Sequence, residues 1–245
     1  MSASTSAAAS AVASDATGAA ASAALPPQPM PMRSQGCDGF KLASVLLQYP
    51  TAALFAGLDE LDAVAASAGG PRAAREAFAR FLAWLRATDP AEVAQHYVRT
   101  FDLRRRCALY LTYFRYGDTR KRGMAMVEFK TAYRAAGFTP SEAELPDYLP
   151  MVLEFAALTE RGRKLLHGHR ADVELLRRGL EKAQSPYADV LAAVGAHLPK
   201  LSRRELALVV KAWESGPPRE EVGLEPFAPP GYLTGYGRDR STEAS

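Results

Sequence analysis

The chain has 245 residues, of which 48% are hydrophobic, and a formal net charge of +3. This length suffices for a buried core in one domain or two small ones, and so small a charge excess does not by itself indicate nucleic acid as a partner. The two cysteines, Cys37 and Cys107, match no metal or redox spacing and make no disulfide framework, a pattern typical of the reducing cytosol.

Residues 1–36 are predicted to form a disordered leader, because they are rich in Ala, Ser and Pro and hold few large side chains to offset the entropy lost on ordering. No basic segment precedes a compact apolar run, and Asp15 interrupts the apolar content, so a secretory signal is not expected. Nor does any uninterrupted apolar run reach the ~18 residues that a membrane span needs.

From Phe40 onward, apolar residues recur every three or four positions, which predicts successive helices. A first helix is expected to end at Pro50, and a second run, from Leu54 to Ala65, is followed by a glycine pair. The next two helices are expected to begin at Pro71 and at Asp89-Pro90.

A further helix is predicted to begin at Asp118 or Thr119 and to end at Gly137, which supplies the left-handed conformation that often terminates a helix. Its spacing places three residues on an apolar face that we expect to point inward: Met124, Val127 and Tyr133.

The second half keeps the helical period. Asp147 is predicted to cap a helix that has Pro150 in its first turn and ends near Leu158. Since no alternating pattern indicates a strand, the fold is predicted to be all-α, a single globular multi-helix bundle over residues 37–216 with a Pro/Gly-rich flexible tail over residues 217–245. Its last helices are expected from Arg170 to Lys182, from Ser185-Pro186 to His197, and from the capping box Ser202-x-x-Glu205 to Gly216.

Residues that carry bond chemistry are scarce, so no catalytic residue, metal site or cofactor of its own is predicted. His167 and His169 stand two apart, which on a helix points them to nearly opposite sides, and a solvated loop is expected there instead. His96 and His197 are single histidines expected at the surface or in packing. Cys107 has no nearby histidine to activate it.

The stretch from Tyr97 to Gly137 combines arginines and tyrosines, which is typical of a surface that holds another molecule. Arg104–Arg106 and Arg120–Arg122 are two basic runs among aromatic residues, as on some RNA-binding surfaces. Acidic residues lie among them, so the alternative is that several arginines pair internally and leave a surface for a protein partner. The acids in question are Asp102, Asp118 and Glu128.

A second block, Glu144 to Phe155, offers carboxylates at helical spacing. Asp147 and Glu154 are seven residues apart, so they would share one helix face with Met151 between them. Such an acidic wall suits an amphipathic guest helix that carries a basic residue. The alternative is that Asp147 only caps the helix and Glu154 is solvated.

These blocks resemble a known family. FDLRRRCALYLTYFRYGDTRKRGMAM, within Tyr97–Gly137, resembles the NarJ family of nitrate reductase assembly chaperones. ELPDYLPMVLEFAAL, from Glu144 to Leu158, is similar to the Glu-x-Pro-Asp-His signature of the wider TorD/DmsD/NarJ group of redox-enzyme maturation chaperones, with Tyr148 where that signature has His. The opening KLASVLLQYP is also similar, so the resemblance covers most of Phe40 to about Gly216.

The resemblance implies an all-α, cytoplasmic, non-catalytic protein. It would bind the apo catalytic alpha subunit of a membrane-bound respiratory nitrate reductase, including its N-terminal segment, keep it competent for molybdenum cofactor insertion, and delay membrane docking. It would not be part of the mature enzyme. Molybdenum cofactor biosynthesis proteins would be further partners, and the protein would neither bind nucleic acid nor insert stably into the membrane.

Client binding is assigned to residues of the two blocks. Two rival functions stay open: a helical nucleic-acid-binding or regulatory module that uses the arginine-rich segments, and a helical enzyme whose site would be a buried acid or base in a deep cavity. The residues predicted to bind the client are Asp102, Tyr110, Tyr113, Phe114, Asp118, Arg120, Arg122, Glu144, Asp147, Tyr148, Met151 and Glu154.

Overall fold

The computed structural model describes residues 37–140 and 143–218, and throughout these two ranges the regular structure is helical, which confirms the all-α prediction. A π-helical turn, Val98–Asp102, and a 3-10 turn, Arg105–Cys107, lie between α5 and α6. The α-helices are α1 Cys37–Leu46, α2 Ala52–Ala56, α3 Leu58–Ser67, α4 Arg72–Ala87, α5 Pro90–Tyr97, α6 Tyr113–Tyr116, α7 Arg120–Ala135, α8 Leu149–Leu158, α9 Glu160–Gly168, α10 Arg170–Lys182, α11 Tyr187–His197 and α12 Arg203–Ser215.

The core lies between two helix pairs, α1 with α8 and α4 with α11. On α4 the buried residues recur at intervals of three and four, so they form one stripe against α11. Burying each large apolar side chain contributes about 1.5–3 kcal/mol, so this stripe holds the two helices together. Its members are Ala74, Ala77, Phe78, Phe81, Leu82 and Leu85, and α11 contributes Tyr187, Val190, Leu191 and Val194.

The chain segment before α6 approaches α10 closely, at Gly179. A Cβ atom added to Gly179 would lie 2.3 Å from the carbonyl oxygen of Arg106, so no larger residue fits without displacing the backbone of the 3-10 turn. Next to this contact, α12 lies on α10, where Phe114, Leu175 and Val209 form a second, smaller apolar cluster.

Several helix boundaries agree with the sequence. The side chain of Asp89 accepts a hydrogen bond from the backbone N–H of Ala91, and Pro90 is the first residue of α5. Ser202 and Glu205 form the predicted capping box of α12. Gly137, two residues after the end of α7, has the predicted left-handed backbone conformation, with a φ of 79°.

Two predictions about individual helices are wrong. The run from Leu54 to Ala65 is two helices rather than one, because the chain breaks at Gly57. The inward face of α7 is formed by Phe129 and Tyr133, whereas Met124 and Val127 point outward.

The segment before His169 is also mispredicted: it is the helix α9 rather than a loop, and the side chain of Thr159 caps it by accepting a hydrogen bond from the N–H of Gly162.

The predicted leader, residues 1–36, and the tail beyond Pro218 lie outside the described residues, and the domain boundaries stay predictions. Among the helices of the described ranges, none combines the length and apolar character that a membrane crossing requires.

Candidate functional site

An isolated antiparallel bridge joins the two blocks singled out in the sequence. Tyr110 pairs with Tyr148. The backbone N–H of Leu111 donates to the carbonyl of Asp147 at 3.0 Å, and that of Leu149 donates to the carbonyl of Leu109 at 2.8 Å. The segment before α6 is therefore fixed to the start of α8, although the two are more than thirty residues apart in sequence.

Beneath this bridge lies a buried ion pair between Arg122 and Asp147. The Asp147 carboxylate is fully buried, and the guanidinium of Arg122, whose side chain is 12% exposed, lies 3.4 Å from it. The backbone N–H and the hydroxyl of Thr112 also donate hydrogen bonds to Asp147. An arginine and two further donors satisfy this carboxylate, as a charge removed from water requires.

The prediction that Asp147 caps α8 is therefore wrong. Tyr148 occupies the N-cap position, without a side-chain capping bond. Because the bridge holds the Asp147 backbone against Leu111, its side chain turns toward Thr112 and Arg122 instead of toward the first turn of α8.

Five tyrosines form a continuous row above the ion pair, which we call the tyrosine row: Tyr49, Tyr97, Tyr148, Tyr110 and Tyr113. The rings of Tyr49 and Tyr97 lie 5.5 Å apart, and those of Tyr148 and Tyr110 lie 5.7 Å apart. The Tyr97 hydroxyl donates a hydrogen bond to the carbonyl of Leu47 at 3.1 Å, and the Tyr148 side chain is close enough to Tyr97 to help raise its pKa. The guanidinium of Arg122 joins the last two members, 5.2 Å from the Tyr110 ring and 5.3 Å from the Tyr113 ring.

Three carboxylates lie along the tyrosine row. Glu144 accepts a hydrogen bond from the Tyr110 hydroxyl at 3.0 Å, and Asp118 accepts one from the Tyr113 hydroxyl at 3.3 Å. Asp102 is exposed and close enough to Tyr97 and Tyr148 for its charge to raise the pKa values of both. Asp118 also pairs with Arg105, at 3.1 Å, so of the three acids Asp118 has its charge balanced by an arginine.

Exposed apolar side chains occur in the chain segments that carry the row and its carboxylates. Leu103 is 72% exposed, and Val98, whose carbonyl accepts a hydrogen bond from the Leu103 N–H, is also exposed. Tyr49 and Leu145 are exposed large hydrophobic residues as well. We call Tyr49, Val98, Leu103 and Leu145, together with the carboxylates of Asp102 and Glu144, the row edge. It combines apolar anchors with negative charge.

The hydroxyl and thiol groups near the row are poor nucleophiles. Burial, reinforced by nearby acidic and tyrosine side chains, raises the pKa values of Tyr97, Tyr110 and Tyr148 above that of a free tyrosine, so their hydroxyls stay protonated. Burial raises the pKa of the Cys107 thiol to about 11, so it is not a thiolate near neutral pH.

The remaining predicted client-binding residues lie apart from the row edge. Phe114 is buried, and its ring stacks on that of Trp213, 5.7 Å away, so it attaches α12 to the body. Met151 is buried in the core, and Glu154 pairs with Lys41 of α1. Arg120 is exposed at the start of α7.

The predicted acidic wall is consequently not formed. Asp147 precedes α8 and is buried, and Met151 faces the core, so neither shares an open helix face with Glu154. Spacing by seven residues brings two side chains to one face only if both belong to the same helix.

Three arginines of the basic runs, Arg105, Arg106 and Arg122, make contacts within the molecule. Besides the pairs of Arg122 and Arg105 already described, the guanidinium of Arg106 lies 4.8 Å from the centre of the Trp213 ring. Arg115 reaches the buried carboxylate of Asp172 at 3.0 Å. These contacts favour the internal-pairing interpretation over a nucleic-acid surface.

The two neighbouring histidines do not form a solvated loop. His167 belongs to α9, whereas His169 is buried against Phe129, with its Nδ1 2.9 Å from Asp172. Within the described residues, no three His, Cys, Asp or Glu side chains are placed to hold a metal ion together. His96 and His197 are packing residues, as predicted, against Tyr187 and Phe40 respectively.

Sequence reasoning missed Thr112, which completes the shell of Asp147, and Val98 and Leu103 as exposed anchors. Thr112 follows Leu109 and Leu111, which are buried at alternate positions, and this short alternation is the signal of an extended segment. Leu103 directly follows Asp102 and precedes three arginines, and an isolated leucine in a polar run is a weak signal of exposure.

Comparison with known proteins gives a consistent set of matches. A family model described as nitrate reductase delta subunit matches residues 68–193. The nitrate reductase-like protein NarX of Mycobacterium tuberculosis is 45% identical over 157 residues, 63% of this chain but only 23% of that protein, so this chain spans less than a quarter of that relative.

Two relatives of more similar length carry a role in their names. A Bacillus subtilis protein described as "Probable nitrate reductase molybdenum cofactor assembly chaperone NarJ" is 37% identical over 168 residues, which are 68% of this chain and 91% of that one. The nitrate reductase molybdenum cofactor assembly chaperone NarJ of Escherichia coli K12 is 34% identical over 150 residues, 60% of this chain and 64% of that one.

The fold has a counterpart among solved structures. A crystal structure from Archaeoglobus fulgidus, described as that of "A Putative Redox Enzyme Maturation Protein", aligns with a TM-score of 0.52 over 69% of this chain and 97% of that chain. At 21% sequence identity, this likeness shows a shared fold.

Proposed function

The chain belongs to the nitrate reductase delta subunit family, and we propose that it is an assembly chaperone for the catalytic alpha subunit of a respiratory nitrate reductase. It binds the apo subunit, including that subunit's N-terminal segment, keeps it competent for molybdenum cofactor insertion, and delays its docking to the membrane. It leaves before the enzyme is mature. The observation that carries the proposal is the 37% identity with a named NarJ chaperone over 91% of that chaperone's length.

We also propose that this activity takes place in the cytoplasm, which the resemblance to the NarJ family supports, and that molybdenum cofactor biosynthesis proteins are further partners. The chain is not an enzyme, in keeping with the chaperone roles in its relatives' names. The two buried carboxylates near the site, Asp147 and Asp172, are each paired with an arginine, so neither is an uncompensated acid or base of the kind an active site uses.

We propose that the row edge holds the client. Leu103, Val98 and Tyr49 offer exposed apolar contacts, and each large side chain that a client buries there contributes about 1.5–3 kcal/mol before ordering costs. A dissociation constant on the order of micromolar corresponds to about 8 kcal/mol, so such anchors reach it only together with hydrogen bonds and charge contacts that offset the cost of association. Binding of this strength holds a client and still permits release.

The carboxylates of Asp102 and Glu144 orient a basic residue of the client. Neither carboxylate is in a salt bridge within the described chain, in contrast to Asp118, Asp147 and Glu154. Charges at the rim of an interface mainly set association rate and register, so these two acids select a client segment with a positive residue near its apolar anchors.

Co-purification from cells that make, or cannot make, the molybdenum cofactor tests the function. The alpha subunit is expected to remain with the chaperone when the cofactor is absent and to be lost when it is inserted. Equal recovery of the alpha subunit from both kinds of cell would contradict a role that ends with cofactor insertion.

A further inference from the structure

The outer face of α7 is apolar and basic, and no described element covers it. Met124 is 76% exposed and Val127 is 55% exposed, and they lie one turn apart on this face. Apart from its chain neighbours and its own helix backbone, no atom lies within 4 Å of a Cβ atom added to Gly123, so this part of α7 is open. Lys121 and Lys130 are exposed on the same helix, and Glu128, one turn beyond Met124, is an exposed acid there, so the lysines outnumber it. A face with this composition fits an acidic segment with apolar residues.

The described chain ends beside this face. After α12 the backbone returns to the start of α7, where a Cβ atom on Gly117 would lie 1.9 Å from the carbonyl oxygen of Pro218. Pro218 and Lys121 are among the residues that line a cavity of about 490 Å³ at this point, together with Arg115, Tyr116, Thr119 and Arg120. The segment that follows Pro218 therefore starts within reach of α7.

The composition of that segment complements the face. It begins with Arg219, has acids at Glu220, Glu221 and Glu225, and carries the apolar residues Leu224 and Phe227. Met124 is about 5 Å along the helix axis from Lys121, at 1.5 Å per residue. An extended chain covers up to about 3.5 Å per residue, so residues 219–227 are long enough to follow α7 past Val127.

We propose that residues 219–227 bind along the outer face of α7 of the same molecule. Glu220 and Glu221 lie near Lys121, and Leu224 and Phe227 cover Met124 and Val127. This contact is a built-in cover for an apolar face, and it is independent of the client, because it needs only the isolated chain.

Charge decides between this occupant and others. A second copy that presents its own α7 would bring together two faces on which lysines outnumber the one acid, Glu128, and a client segment with basic residues would also meet a net positive face. The segment after Pro218 brings three carboxylates within its first seven residues. It is also held at the site by its covalent connection, which raises its effective concentration far above that of a separate partner.

Zero-length cross-linking of the full-length protein tests the contact. A carbodiimide joins a lysine amine to a carboxylate only when the two are in contact, so a Lys121–Glu220 or Lys121–Glu221 cross-link is expected in the monomer. Lys121→Gln abolishes it, whereas the matched variant Lys200→Gln, at an exposed lysine outside α7, leaves it unchanged. A cross-link found only in dimers, or no cross-link at all, would overturn the proposal.

Hydrogen exchange of the full-length protein tests the apolar part. In the double variant Leu224→Ser/Phe227→Ser, the amides around Met124 and Val127 are expected to exchange about tenfold faster than in the wild type, because a cover worth one or two apolar anchors is lost. Leu233→Ser, in the same tail but beyond the covering segment, serves as the control. Unchanged exchange in the double variant would contradict the cover.

Discussion

Two ion pairs flank Tyr113, and they differ in the solvent around them. The side chains of Arg122 and Asp147 are 12% and 0% exposed, whereas those of Arg105 and Asp118 are 42% and 64% exposed. Both arginines lie near the same tyrosine ring. The buried pair supports the tyrosine row from inside, and the exposed pair forms part of its surface. Burial therefore decides which of these two roles a carboxylate has.

The largest expected difference is in stability. Arg122→Ala leaves the Asp147 carboxylate buried without its partner, so we expect the free energy of unfolding to fall by about 3–5 kcal/mol. Asp118→Ala removes the partner of an exposed pair and should cost less than about 1 kcal/mol. Urea unfolding of both variants measures the two losses of stability. Equal losses would show that burial does not distinguish the contributions of the two ion pairs.

The second prediction concerns the row edge. Leu103→Ser removes an exposed anchor, so we expect about tenfold weaker binding of a peptide from the N-terminal segment of the alpha subunit, with the free energy of unfolding nearly unchanged. Leu208→Ser on α12 is the matched control, since Leu208 is also highly exposed but lies outside the row edge. Calorimetric titration measures both, and equal affinities for the two variants would place the client elsewhere.

A smaller effect is expected from the acids of the row edge. Asp102→Asn should weaken peptide binding about two- to fivefold at low salt, and the difference from the wild type should shrink as salt is added, because rim charges are screened. Glu154→Gln should leave the affinity unchanged, since Glu154 already pairs with Lys41. A reversed order, with Glu154 the more sensitive position, would restore the acidic-wall hypothesis.

The smallest predicted effect is on pH dependence. Burial lowers the pKa of His197 below its usual 6.5, so below that pH the unfolded chain binds more protons than the native one. Stability should therefore be complete above about pH 6.5 and fall as the pH drops below it. His197→Asn should flatten this fall in unfolding experiments between pH 7 and pH 5, and an unchanged slope would assign the loss to other groups.

Much of the fold could be predicted because helix ends have local chemical signals. Asp89, Ser202 and Gly137 each mark a boundary through their own backbone or side-chain bonding, and the helix Arg170–Lys182 has the predicted bounds. α7 shows where such reasoning ends. Its apolar residues fall on two faces, and the sequence period alone does not say that Phe129 and Tyr133, rather than Met124 and Val127, meet the core.

The candidate site was less predictable because its central contact is not local. Residues of both blocks were identified as binding residues, and Tyr110, Tyr113, Arg122, Glu144, Asp147 and Tyr148 do come together. Local spacing mispredicts the role of Asp147, because the bridge between Tyr110 and Tyr148 joins distant parts of the chain and redirects its side chain. Exposed anchors such as Leu103 have no periodic signal at all.

The central claim is that this protein recognises an unfinished alpha subunit. The most direct test is the affinity of the purified full-length protein for the alpha subunit prepared without and with its molybdenum cofactor, measured under the same conditions. The account predicts that the cofactor-free subunit binds at least about tenfold more tightly, a difference of about 1.4 kcal/mol. Equal affinity for both forms, or tighter binding of the loaded form, would contradict it.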